Sequence, residues 1–253
     1  MTAFGYETYF SDLRARYRIP PECVPVRGIP AVGEKDDLPL RRRLNAVVPV
    51  SFAETDGFLF ACAYPAFRDI LSRFLERYAR DPFSDEALGQ LHLWMREPLA
   101  DYGYAEDRFY SRWAVSCLCE DPGKVPKDIL PGLRLLTPDD DGTLGNRTTM
   151  KLSDCIARTA AAVIRDGCVV SIASVNSANG PGACRELGVE TAVGFRGRGF
   201  AGGVTALLTK TLTERGEVPL YQYYRTNIPS AHTAAHAGLT PVGRFFSYTS
   251  FRK

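Results

Sequence analysis

The stretch Val189-Glu-Thr-Ala-Val-Gly-Phe-Arg-Gly-Arg-Gly-Phe-Ala201 constrains this chain more than any other. It opens as a strand, stops at a turn with glycine at 197 and 199, and feeds into a helix marked by Val204, Leu207, Leu208 and Leu212. Glycines there let the backbone turn tightly and approach a ligand without Cβ interference. The first amides of the new helix have no intrahelical acceptor and carry the positive end of its dipole, so they suit a phosphate or pyrophosphate. A Gly-rich turn of this kind also serves purely structural ends.

Other elements follow from periodicity. The first fifty residues, rich in Pro and Arg, show no regular element, and their Arg41-Arg42-Arg43 run reads as a solvated face. Phe58 to Ala63 reads as a buried strand. Phe67, Ile70, Leu71, Phe74, Leu75 and Tyr78 fall at helical spacing, and Asp81-Pro82 ends that helix. Ser84 or Asp85 caps a helix through Leu91 to Met95, and Arg112 to Leu118 reads as a strand. The turn Asp121-Pro-Gly-Lys124 and the prolines around it predict a boundary near residue 130, dividing an N-terminal α/β domain (1–130) from a second domain (131–253).

In the second domain the pattern predicts a strand at Leu133 to Thr137, a helix start at Thr137-Pro-Asp-Asp140, and a helix from Leu152 to Ile164. A strand at Cys168 to Ser174, a turn at Ser177 to Gly182 and a strand at Glu186 to Phe195 precede the glycine turn. After it come a helix closed by Gly216, a strand at Leu220 to Tyr224, a helix at Ser230 to Ala237 ended by Gly238, and a strand at Phe245 to Phe251.

Composition narrows the class. Hydrophobic residues at 45% and charged residues at 24% are ordinary for a folded globular chain. Residues after 150 carry 12 Lys and Arg against 6 Asp and Glu, a surplus of +6, whereas the first 150 balance at −4. That surplus suits an anionic ligand, and the absence of clustered basic runs argues against nucleic acid. No apolar run reaches a membrane span or a signal peptide, so no membrane partner and a cytoplasmic location are expected. Seven scattered cysteines read as reduced core residues; Cys117 and Cys119 would share one strand face, with no second ligand pair for zinc. His232 and His236 stand four apart on a helix, yet lack the companion ligands of a metal site, so no metal is expected.

Arg196-Gly-Arg-Gly-Phe-Ala201 resembles the R/Q-x-x-G-x-G/A pyrophosphate motif of the GCN5-related N-acetyltransferases, in the same strand, turn and helix context. Asn227, Ser230 and Gly238-Leu239 resemble that family's N-x-x-A/S motif and the apolar pair that follows it. The likeness covers about Leu133 to Phe251; residues 1–130 carry no such motif and could be a degenerate copy of the same fold.

The resemblance implies a mixed, mostly antiparallel twisted sheet with splayed central parallel strands and flanking helices. It implies acetyl-CoA as donor substrate, with main-chain groups of Thr191, Ala192 and Val193 on the pantetheine arm. Residues Arg196, Gly197, Arg198, Gly199, Phe200 and Ala201 would bind the pyrophosphate, with Asn227 and Ser230 elsewhere along the cofactor. An amine would attack the thioester directly. Glu190, or Glu186 on the same strand face, would take the proton. Many relatives place a tyrosine acid seven residues after the motif asparagine; here that position is Ala234, leaving Tyr223, Tyr224, a histidine or solvent, with Tyr224 our candidate. A homodimer is a common arrangement in such proteins.

Two rivals stand beside this reading. Gly197-x-Gly199-x-x-Gly202 also satisfies the dinucleotide fingerprint, although too few residues follow for the remaining units of that fold and no acidic residue ends the next strand. A non-catalytic acyl-CoA-binding module would keep the turn and lose the chemistry. Acceptor identity and acyl length are not written in the sequence.

Overall fold

The computed structural model describes residues 3–36, 45–119, 121–126, 130–176 and 184–252; the Arg41–Arg43 run and the expected turn at Ser177 to Gly182 lie outside them. In chain order the elements are α1 (Ala3–Arg16), β1 (Pro30–Glu34), β2 (Ala46–Thr55), β3 (Phe58–Ala63), α2 (Arg68–Arg77), α3 (Asp85–Asp101) and β4 (Tyr104–Leu118). They continue with β5 (Leu133–Leu135), β6 (Gly145–Asn146), α4 (Leu152–Ala157), β7 (Ala160–Arg165), β8 (Cys168–Val175) and β9 (Arg185–Thr191). The last are α5 (Phe200–Glu214), β10 (Pro219–Tyr224), α6 (Ile228–His236) and β11 (Thr240–Arg252). Two compact units result, one of Met1–Asp12 with Ser116–Val242 and one of Leu13–Val115 with Gly243–Lys253.

In the second of these units the strand order is β1-β3-β2-β11-β4. Asp56 and Gly57, with φ of 47° and 77°, close a two-residue hairpin between β2 and β3, the left-handed turn that matches strand twist. β1 lies parallel to β3 over five pairs, from Pro30↔Leu59 to Glu34↔Ala63. Phe52 centres the core, its ring 4.8 Å from Phe246, 5.0 Å from Phe83 and 5.5 Å from Phe74. α2 and α3 contribute the buried Leu71, Phe74, Leu75, Leu91 and Met95 to the same cluster. Ser84 caps α3, accepting from the Ala87 amide at 3.2 Å, as its position before an acidic first turn predicts.

The other unit has the strand order β10-β9-β8-β7-β5, with β6 beside β8. Pairings β5–β7, β7–β8 and β8–β9 are antiparallel, and β9–β10 is parallel. The result is the expected α/β architecture: a mixed, mostly antiparallel sheet that includes the parallel pair β9–β10, flanked by helices. α5 buries Val204, Leu208 and Leu212, and Gly216 at φ 74° follows its C-terminus, as expected of a C′ glycine.

Several boundaries differ from the periodic reading. The helix expected over 152–164 ends at Ala157. Thr159 takes a left-handed φ of 79°, and Ala160–Arg165 becomes β7, because β5 and β8 on either side supply ladder partners to a segment that reads equally well both ways. β9 stops at Thr191 rather than Phe195, since a 3₁₀ turn over Val193–Phe195 intervenes, with the Phe195 amide donating to Ala192 O at 2.8 Å. α2 ends at Arg77, before Asp81-Pro82.

The helix start at Thr137 is a 3₁₀ turn (Pro138–Asp140) closed by a capping box. Within it, Asp140 accepts from the Thr137 amide at 2.8 Å and from Arg134 at 2.7 and 2.5 Å. Within the first fifty residues α1 forms after all, because Tyr9 and Leu13, four apart, are buried; its tyrosines sit among charges that hide the periodicity.

Candidate functional site

β9 and β10 begin as neighbours and then part. Their parallel ladder consists of Pro219↔Arg185 and Leu220↔Glu186, after which β9 runs on to Thr191 and β10 to Tyr224 without further pairs. β8 holds the other edge of β9 in register as far as Ser171↔Thr191, where the two hydroxyls meet at 2.8 Å. The inner edge of β9 therefore presents backbone groups to an opening. Such groups are costly to leave without a partner, and an extended ligand can serve as the missing strand.

That opening is a cleft of about 1020 Å³, lined by Val189, Glu190 and Thr191 of β9, by Tyr221 of β10, by the turn and first residues of α5, and by α6. Gly197 and Gly199 have φ of 75° and 76°, conformations that favour glycine. A Cβ at either would meet nothing within 4 Å, so open space faces the backbone, as a cradle for a ligand requires. Gly199 is the N-cap of α5 and has no side chain to accept from the amides that follow it. Gly202 serves packing instead, since a Cβ there would stand 2.3 Å from His236 Cδ2 and its absence lets α6 approach α5 closely.

Cationic side chains gather around the turn. Arg147 and Arg198 lie over the Phe195 ring at 5.5 and 5.3 Å, and Arg165 lies over Phe200 at 5.3 Å. Arg196 donates from Nε to the Thr191 carbonyl at 3.1 Å. Positive charge beside uncapped amides adds to the attraction for an anion.

The far wall is α6. Asn227 is its N-cap, with Oδ1 accepting from the Ser230 amide at 3.2 Å, which gives the N-x-x-S spacing a local structural reason. Ser230 Oγ meets Tyr221 Oη at 3.0 Å. Asn227, Ser230, His232, Thr233 and His236 all line the cleft. Ala234 is 2% exposed.

Of the residues singled out in sequence, the cleft brings together Glu190, Thr191, Arg196, Gly197, Gly199, Phe200, Ala201, Asn227 and Ser230. Ala192, Val193 and Arg198 belong to the adjoining turn, Val193 being 77% exposed. Glu186 sits at the last β9–β10 pair, and Tyr224 is 42% exposed; neither lines the cleft. Both Glu190 oxygens accept from the Thr149 amide, at 2.9 and 3.0 Å, and Oε2 also accepts from Thr149 Oγ1 at 2.8 Å. Tyr221, which reads in sequence as strand packing beside Tyr223 and Tyr224, is a cleft residue that the sequence carries no signal for, because it does not show where the β9–β10 ladder stops. Among the described residues no three His, Cys, Asp or Glu side chains form a metal-holding group.

No protein-family model matches this sequence, and no curated protein matches it. Solved structures do. A GCN5-related N-acetyltransferase-like protein from Streptococcus suis is similar over 81% of this chain and 87% of its own, at 16% identity and a TM-score of 0.49. A GCN5-related N-acetyltransferase from Sphaerobacter thermophilus covers 98% of this chain and 94% of its own, at 14% identity and a TM-score of 0.45. An acetyltransferase of the GNAT family from Novosphingobium aromaticivorans covers 57% and 66%, at 20% identity and a TM-score of 0.45.

Proposed function

We propose that this chain is an acyl-CoA-dependent N-acetyltransferase whose donor lies in the cleft between β9 and β10. The observation that carries the reading is the parting of those two strands next to a glycine turn with an uncapped helix N-terminus. We assign donor binding to the 131–253 domain. Amides from Gly197 to Ala201 bind the pyrophosphate, with Arg196 and Arg198 adding positive charge. Main-chain groups of Thr191, Ala192 and Val193 hold the pantetheine arm as an added strand, and Asn227 borders its inner part.

A primary amine attacks the thioester carbonyl directly, the C–N bond forming as the C–S bond breaks. Glu190, held by Thr149 on the cleft wall, takes the proton from the attacking nitrogen directly or through water. The dinucleotide alternative fits less well, because the antiparallel β7–β8–β9 meander is not the doubly wound parallel sheet that it requires.

A second reading has one observation in its favour. Ala234 fills the position of the usual tyrosine acid, as it would in a module that binds acyl-CoA without turning it over.

The test is isothermal titration of acetyl-CoA, with NADH as control ligand, into the wild-type protein and into Gly199→Trp. Micromolar binding of acetyl-CoA that is lost in the variant and not seen with NADH supports the reading; failure of wild-type protein to bind acetyl-CoA overturns it. Turnover with a panel of primary amines then separates the enzyme from the silent module.

A further inference from the structure

The vertex of the cleft holds a hydroxyl pair that the proposed reaction leaves unused. Tyr221 is the first residue of β10 beyond the last ladder pair, Leu220↔Glu186, so it stands where the two strands part. Its side chain is 4% exposed yet lines the cleft, and its hydroxyl meets Ser230 Oγ at 3.0 Å. The glycine turn lies at the other end. From Glu186 to Thr191, β9 takes five steps of about 3.3 Å, so the vertex is about 17 Å from the turn. A donor anchored by its pyrophosphate at the turn, and extended along β9, delivers its sulfur end towards the vertex.

We propose that Tyr221, positioned by Ser230, is the proton donor to the departing thiolate, in place of the tyrosine that Ala234 does not provide. This rests on the acyltransferase reading. As the amine nitrogen closes on the carbonyl carbon and the C–S bond breaks, the electron pair stays on sulfur. Tyr221 Oη donates its proton to that sulfur, and the phenolate regains a proton through Ser230 from water. The nitrogen's surplus proton leaves separately to water in the cleft, which relays it to Glu190, four strand residues or about 13 Å from the vertex towards the turn, so protons and electrons balance.

The surroundings favour a neutral, proton-bearing phenol. Burial raises the Tyr221 hydroxyl above the usual tyrosine value, the Ser230 hydrogen bond opposes that, and Cys117 adds to the rise. The same low-polarity setting raises the proton affinity of a thiolate formed beside it. The other titratable groups nearby are Cys117 on β4, Tyr223 on β10, and Glu190, His232 and His236 along the cleft. Burial pushes the Cys117 thiol up to about 12 despite its hydrogen bond with Tyr223, so it stays neutral through the working range.

The test needs no acceptor. Coenzyme A is bound to the whole protein, and ionisation of its thiol is followed by thiolate absorbance, with desulfo-coenzyme A complexes as blanks to cancel the protein's own cysteines. In the wild type the bound thiol titrates about one pH unit lower than in Tyr221→Phe, a tenfold difference. Ser230→Ala, on the outer helix, moves the midpoint in the same direction by less and covers the case in which the tyrosine variant does not fold. A merely structural tyrosine would leave the midpoint where it is, so equal midpoints in wild type and variants overturn the proposal. Calorimetry on the same samples separates the failures: coenzyme A binding with unmoved midpoints sinks only the role of Tyr221, whereas absence of binding sinks the acyltransferase reading as well.

Discussion

Two of the parallel strand pairs among the described residues, β1–β3 and β9–β10, end differently. β1 and β3 stay paired over all five residues of β1, and β3 then enters α2 through Pro65–Phe67, a 3₁₀ turn whose Phe67 is fully buried. β9 and β10 share two pairs and part, and β9 enters α5 through its own 3₁₀ turn and then Gly197 and Gly199. Strand, 3₁₀ turn and helix recur in both places; at the second, Gly197 and Gly199 face open space. A closed ladder satisfies its own hydrogen bonds and asks for nothing. An open one is stable in a fold only if water or a ligand completes it.

Glycines separate the two regions most sharply. A Cβ on Gly33 in β1 would stand 2.0 Å from Tyr17 O and 2.5 Å from Arg18 O, so the chain itself occupies that space. We expect Gly33→Ala to lower unfolding free energy by about 3 kcal/mol, measured by denaturant titration, because backbone must move. A loss under about 1 kcal/mol would mean that the closed pair is looser than it looks. Gly199→Trp should act the other way round: affinity for acetyl-CoA falls about a hundredfold, or about 2.7 kcal/mol, while stability drops by only about 1–2 kcal/mol from the left-handed backbone. Equal losses of stability in the two variants would erase the contrast between a packed glycine and a ligand-facing one.

A smaller effect is expected at Asp140, which is 7% exposed and carries the capping box next to β5. The hydrogen bonds from Arg134, foremost, and those from Thr137 hold its carboxyl well below the usual carboxylate range. A depressed folded-state value stabilises the protein above the unfolded carboxylate's pKa, near 3.9, and that contribution fades as pH falls below it. Asp140→Asn should therefore cost about 2 kcal/mol at pH 7 and progressively less in acid, read from unfolding midpoints at pH 7, 4 and 3. A pH-independent difference would show that the charge is not what matters. Least of all should come from Tyr224→Phe: this side chain is exposed and off the cleft, so acetyl-CoA affinity should stay within about twofold and stability within about 0.5 kcal/mol. A larger fall in affinity would bring β10's outer end into the site.

Much of the cradle was legible because it is local. A strand that stops at two glycines and starts a helix is written in consecutive residues, and the N-cap Asn227 with Ser230 three residues on is written the same way. The elements that went unread depend on partners far along the chain. Ala160–Arg165 has the composition of a helix or a strand, and β5 and β8 decide it. α1 was hidden because its buried Tyr9 and Leu13 lie among charged residues.

What the sequence by itself determined is the chemistry at the mouth of the cleft: glycine φ, uncapped amides and the arginines at 196 and 198 follow from residue types in a row, whereas the fold brings Arg147 and Arg165 to the same place. Only the tertiary structure decided where β9 and β10 part, and hence that Tyr221 and not Tyr224 meets Ser230 in the cleft. Alternation along a strand tells which residues share a face. It does not tell where a parallel ladder stops, because that depends on what the sheet and helices on either side hold in place.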